Sequence, residues 1–124
     1  MSRVVHFEFA TPDPERESEF FRTLFGWHVG QWAGREYWLV DTSAGDTGRG
    51  INGAILPQTS PDQPRTVNTI GVADIDETIA KALAAGGSVA LEKQDVPGVG
   101  QVASLASPTG VVFNVIQPAP GSSM

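Results

Sequence analysis

Cysteine is absent from the 124 residues, which excludes a disulfide framework, a thiolate metal site and a cysteine nucleophile. Chemistry must then come from imidazole, carboxylate, hydroxyl or amide groups. Histidine is scarce, at two residues, and 8 basic side chains face 14 acidic ones, for a formal charge of −6. The Lys and Arg are scattered rather than gathered into a stripe, whereas nucleic-acid binding needs concentrated positive charge to displace counterions from phosphates. A nucleic-acid partner is therefore set aside. No apolar run approaches the roughly 20 residues of a membrane span, and the opening MSRVVHFEF lacks the apolar stretch of a secretory leader. The expectation is a cytoplasmic protein without a membrane partner.

What the chain has is an internal repeat. VVHFEFATPDPERESEFFRTLFGW, from residue 4, is echoed by VNTIGVADIDETIAKALAAGGS, residues 67–88. In each copy a strand-like run leads to an Asp placed to cap a helix, and the helix closes at glycine, Gly26 in one and Gly86-Gly87 in the other. Two short β-rich runs follow, then a strand ending in proline: GINGAILP at 50–57 and GVVFNVIQP at 110–118. Each copy thus reads strand, helix, strand, strand, strand. Fixed-period self-similarity constrains topology more than any single motif. One helix covers only one face of such a sheet, and a module of about sixty residues is marginal alone. The expected fold class is α+β, two paired βαβββ modules whose curved mixed sheets form a cup. The expected boundaries are 1–57 for the first module, 58–65 for a proline-rich linker (QTSPDQPR), 66–118 for the second module and 119–124 for a loose tail.

Strand alternation sorts the first run. Val5, Phe7 and Phe9 point one way, toward a helix, and Val4, His6 and Glu8 the other, toward the open side of the sheet. Asp13 caps a helix with Pro14 at its first position, where the missing N–H costs nothing, and Phe21, Leu24 and Phe25 form its apolar stripe. Asp74 starts the second helix three residues before Glu77, with Ile75, Ile79 and Leu83 along one face. WHVGQW (27–32) and REYWLVD (35–41) read as a hairpin turned at Ala33-Gly34. SVALEK (88–93) and QVASLAS (101–107) read as strands joined by QDVPGVG.

Several features carry candidate chemistry. Glu8 beside His6 on one strand face can orient the imidazole and raise its basicity; a solvated or interface Glu is the plainer reading. Trp27, Trp32, Tyr37 and Trp38 concentrate large aromatics in the hairpin, where they either line an apolar pocket or fill core and interface. Period two sends Tyr37 and Trp38 to opposite faces, so only one reaches the cup, and Trp38 is taken as that residue. GDTGRG (45–50) lacks the Lys-Ser/Thr of a phosphate loop and precedes a strand rather than a helix, so it reads as a hairpin connection. DVPGVG (95–100) is either a lid at the cup mouth or a plain turn. His28, with no ligand partner at a useful spacing, reads as surface or interface.

HFEF, the DPERESEFFRTLFGW helix, the VADIDETIAKALAAGGSV module, DVPGVGQ and the closing SPTGVVFNVIQP together resemble the glyoxalase/bleomycin-resistance/dioxygenase superfamily, also called vicinal oxygen chelate proteins, over about residues 3 to 118. The resemblance implies paired βαβββ modules, a homodimer, and, in metal-dependent members, a divalent cation held in the cup by His, Gln or Glu from the first and last strands. His6 falls on the first ligand position. Asn68 falls on its equivalent in the second module, Asn114 on the place where the last strand usually offers Glu, and Gly53 or Ala54 on the remaining one. Amides are weak neutral ligands for metals that prefer imidazole and carboxylate.

The resulting expectation is a cup that binds a small organic molecule through His6, Trp38, Asn68 and Asn114. No cofactor is expected beyond a weakly held divalent cation at His6. Two alternatives stay open: a lyase, isomerase or dioxygenase using His6 and Glu8 as catalytic groups, and a non-catalytic dimeric interaction module.

Overall fold

The structure is a computed structural model that describes residues 2–43, 45–46 and 48–121. In chain order it comprises β1 (Arg3–Thr11), α1 (Pro14–Phe25), β2 (His28–Gln31), β3 (Trp38–Asp41), β4 (Asn52–Pro57), β5 (Thr66–Gly71), α2 (Ile75–Ala84), β6 (Ser88–Val96), β7 (Gly100–Ala106) and β8 (Val112–Pro118). This is an α+β chain that runs through βαβββ twice, as the repeat implied. It divides into two compact units, residues 6–67 and residues 68–121 with 2–5.

In the first unit the strand order is β2-β3-β4-β1, with β1 and β4 parallel and the other neighbours antiparallel. The second repeats this as β6-β7-β8-β5, with β5 and β8 the parallel pair. Both helices start as their sequences dictate. The Asp13 carboxylate accepts from the Arg16 amide at 3.1 Å with Pro14 behind it, and Asp74 accepts from the Glu77 amide at 3.1 Å. Gly26 closes α1 at φ 72°, a left-handed geometry that glycine adopts without a Cβ penalty. Ala33 (φ 51°) and Gly34 (φ 69°) make the hairpin turn, and the Arg35 amide donates to the Trp32 carbonyl. Positive φ at both central residues gives the twist that a two-residue hairpin needs.

The first unit's core is Phe7, Val29, Trp38, Val40 and Ile55, with Phe9, Phe21 and Trp27 packed on it. The second unit's core is Val72, Ile75, Ala103, Leu105 and Val115, with Ile70, Ile79, Ala82, Val89 and Phe113 against it. Each lies between one helix and one sheet face. Gly53 has no room for a side chain, because a Cβ there would overlap the carbonyl oxygen and ring of Phe7, its partner across the parallel ladder.

Three expectations need correction. Leu24, Phe25 and Leu83 are 54, 56 and 52 % exposed, so the helices turn other residues inward. In α1 these are Ser18, fully buried with its hydroxyl bonded to the Pro14 carbonyl, and Phe21. In α2 the inward row is Ile75, Ile79 and Ala82. Strand β6 runs beyond the expected SVALEK segment, through Gln94 and Asp95 to Val96 across two register shifts, and of the two readings of DVPGVG the plain turn holds, closed by the Val99 amide on the Val96 carbonyl. Strands β2 and β3 are shorter than the hairpin read from sequence, because the turn and its flanks occupy residues 32–37. The glycine loop 45–50 and the tail 119–124 fall in part outside the described residues, at 47 and 122–124.

Candidate functional site

On β1 the alternation holds: Phe7 packs in the core beneath α1, and His6 and Glu8 project from the opposite face. The ladder identifies what stands beside them. Ladder partners share a face, so Asn52 of β4 accompanies His6 and Ala54 accompanies Glu8. Ala54 in turn partners Leu39 of β3, which places Leu39 and Tyr37, two residues before it, on this same side.

Tyr37 completes a hydrogen-bonded chain with the two β1 residues. Its hydroxyl donates to Glu8 Oε2 at 2.7 Å, and the Tyr37 hydroxyl oxygen itself lies 3.0 Å from His6 Nε2. A tyrosine hydroxyl has one proton, and the carboxylate can only accept it, so His6 must donate from Nε2 and keep Nδ1 as its basic nitrogen. His6 Nε2 and Glu8 Oε2 are themselves 3.9 Å apart, with side chains 12 and 21 % exposed. Burial lowers the His6 pKa below its ordinary 6.5, against an opposing upward pull from the Glu8 charge. The imidazole is therefore mainly neutral at pH 7, and the 3.9 Å approach is not an ion pair there. Burial first, then the Glu8 charge and hydrogen bond, push the Tyr37 hydroxyl far above its normal range, so it stays a donor. Trp32 closes this side of the hairpin with its ring edge-on to Tyr37, centroids 5.9 Å apart.

Tyr37 is the residue that sequence reading passed over in favour of Trp38. The structure buries Trp38 at 7 % exposure among Phe7, Val29, Val40 and Ile55, on the helix side of the sheet. Only the pairing of Trp38 with Ile55 decides this, because alternation makes the two aromatics opposites without saying which is which.

In the second unit Thr69, not Asn68, is the ladder partner of Asn114. Asn114 accepts a 2.6 Å hydrogen bond from Ser104, its partner on β7. Asn68 is exposed and shares the alternation of Ile70, which packs into the α2-side core. The expectation that Asn68 and Asn114 both face the cup is thus corrected at Asn68 by one residue, a slip that reverses a side chain's direction on a strand. His28 is exposed on β2, opposite Asp41.

Among the described residues no three His, Cys, Asp or Glu side chains converge as a metal-holding group. The donor set of the first unit explains this. Its last strand contributes Ala54, which has no ligating atom, and Asn52, whose neutral amide oxygen accepts from the Thr42 amide, and the Tyr37 hydroxyl already engages both His6 Nε2 and Glu8 Oε2. These residues do not fit a firmly held divalent cation.

Two βαβββ units, each with a parallel first-and-last strand pair, and a histidine on the first strand's helix-averted face are the arrangement that the resemblance to the glyoxalase/bleomycin-resistance/dioxygenase superfamily implies. The chain belongs to the glyoxalase-like domain family, whose model matches residues 6–116. It is 36% identical over 117 residues to CFP32 of Mycobacterium bovis, which carries the name of a proposed glyoxylase. That match takes in 91% of this chain but spans only 43% of the relative's length. Among solved structures, a glyoxalase/bleomycin resistance protein/dioxygenase superfamily member from Vibrio splendidus 12B01 superimposes with TM-score 0.66 at 18% identity, covering 96% of this chain and 100% of that one. A methylmalonyl-CoA epimerase variant from Streptomyces coelicolor, in complex with 2-nitronate-propionyl-CoA, does so with TM-score 0.65 at 20% identity, covering 100 and 99%. No helix among the described residues is long and apolar enough to cross a membrane.

Proposed function

We propose that this glyoxalase-like protein binds a small organic molecule on the sheet face carrying His6, Tyr37 and Glu8, without a tightly held metal. The observation behind this reading is the Tyr37 hydroxyl standing between the two candidate ligands. In this arrangement the imidazole and carboxylate are bonded to the protein itself, and what the face offers a guest is hydrogen bonding at His6 Nδ1 and the Glu8 carboxylate, with apolar contact along Trp32 and Leu39. The reading is tested by thermal-shift screening of chelator-treated protein against metabolite and antibiotic collections, with His6→Ala alongside. A ligand that stabilises wild type but not the variant, equally well in chelator, supports it; hits that appear only with added metal overturn it.

A second reading has its own support. A neutral imidazole whose Nε2 proton is fixed by Tyr37 presents Nδ1 as a base near neutral pH, the condition for proton abstraction. This favours a lyase or isomerase that moves a proton without a metal, and it agrees in kind with the relatives named for glyoxylase and epimerase activity. Turnover of a stabilising ligand, lost in His6→Ala with the fold intact, separates the enzyme from the binding protein. The reading includes a homodimer, which sedimentation velocity checks by distinguishing 13.1 kDa from twice that mass.

A further inference from the structure

On the helix side of the first unit, away from His6, the start of α1 and the end of β1 border an open recess of about 310 Å³ lined by Thr11, Asp13, Arg16, Glu17, Phe20 and Arg65. A second recess of about 230 Å³ shares Thr11, Glu17 and Arg65 with it and adds the rings of Phe9 and Phe21. Together they make a charged mouth leading to an aromatic floor. Their size falls at or just below the range of small-molecule pockets, roughly 300–1,000 Å³.

The charges in the mouth are held apart. Arg65 is anchored by its Nε–H, which donates to the Ala10 carbonyl at 2.7 Å, and this leaves its two terminal amino groups as a free fork. Arg22, Lys81 and Lys93 each pair with a carboxylate, whereas neither Arg16 nor Arg65 forms an ion pair among the described residues. The two carboxylates are each positioned by one oxygen. Asp13 Oδ1 caps the Arg16 amide, and Glu17 Oε1 accepts from the Thr11 hydroxyl, whose residue is 3 % exposed. Two guanidinium groups and two carboxylates thus line one recess without neutralising each other directly. The start of α1 is already capped by Asp13, so the helix terminus is not the attraction.

From this geometry we propose a second small-molecule site, specific for a zwitterion with an apolar side chain, of the size of an aromatic amino acid. The ligand's carboxylate meets the planar fork of Arg65, a geometry that favours two parallel charge-assisted hydrogen bonds. Its ammonium faces the outer oxygens of Asp13 and Glu17, and its side chain lies against Phe20 or reaches Phe9 and Phe21. A purely anionic ligand would meet two carboxylates, and a purely cationic one two guanidinium groups. Each would lose half of the complementarity.

The test is calorimetric or amide-NMR titration of the whole chain with L-phenylalanine, phenylacetate and 2-phenylethylamine, in wild type, Arg65→Gln and Arg16→Gln. The expected result is binding of L-phenylalanine with shifts at Thr11, Glu17 and Phe20, weaker binding of both singly charged analogues, and a loss on the order of tenfold in Arg65→Gln. No binding of L-phenylalanine at millimolar concentration overturns the proposal. So does phenylacetate binding as tightly as the amino acid, or affinity unchanged in both variants. Arg16 makes no side-chain hydrogen bond, so Arg16→Gln decides the matter should Arg65→Gln disturb the fold.

Discussion

Replacing Tyr37 with phenylalanine keeps the ring against Trp32 and removes only the oxygen that joins His6 to Glu8. The hydroxyl's bond to the carboxylate belongs to the charged class, about 1.5–3 kcal/mol, and its bond from the imidazole to the neutral class, about 0.5–1.5 kcal/mol. The Glu8 side chain is 21 % exposed, so water can satisfy part of what is vacated. A net loss of about 2 kcal/mol follows, seen in urea unfolding as a midpoint lowered by on the order of 1 M with the slope unchanged. The same variant changes the imidazole. Without the intervening hydroxyl, His6 Nε2 and Glu8 Oε2 can close from 3.9 Å to a direct pair, which favours the imidazolium. The His6 pKa therefore rises in Tyr37→Phe and falls further below its lowered wild-type value in Glu8→Gln, read from ring-proton NMR titration. A stability change under about 0.5 kcal/mol, together with an unmoved His6 titration, would refute the hydrogen-bonded chain as drawn.

Other outcomes follow from the same geometry. Since the folded His6 pKa lies below its unfolded value of 6.5, the unfolded chain binds more protons between the two values; His6's contribution to stability is complete above pH 6.5 and is lost as pH falls through the folded pKa, and His6→Gln should flatten that slope in pH-dependent urea midpoints. Gly53→Ala drives a methyl into the Phe7 carbonyl, which backbone pairing prevents from yielding, and should cost about 3 kcal/mol in denaturant unfolding. Asp74→Ala removes the α2 cap and should cost about 1 kcal/mol, with Asp74→Asn nearly neutral by the same assay.

The architecture was legible because its signals are local. Asp13-Pro14, Asp74, Gly26 and Ala33-Gly34 each satisfy backbone demands within a few residues, and the repetition of strand, helix and three strands fixed the connectivity. The pairing of His6 and Glu8 on one face followed from alternation alone. The rest of the site depended on information that local spacing does not hold. Tyr37 and Trp38 are interchangeable by period until β3 is registered against β4. Asn68 and Thr69 differ by one residue, and only the β5–β8 ladder shows which of them accompanies Asn114. Leu24 and Leu83 fit an apolar stripe in sequence, yet the helices are rotated so that Ser18 and Ala82 face inward, where a small side chain lets helix and sheet approach closely. The Arg65 recess had no sequence signature, since its walls come from residues 9 to 66.

The most direct measurement is a long-range 1H–15N NMR spectrum of the His6 imidazole in chelator-treated protein at pH 7.5, recorded before and after one equivalent of Zn(II). A proton on Nε2, a bare Nδ1 and no response to zinc would bear out a site built from Glu8, Tyr37 and His6 without a metal. A proton on Nδ1, or ring nitrogens shifted by stoichiometric zinc, would contradict it.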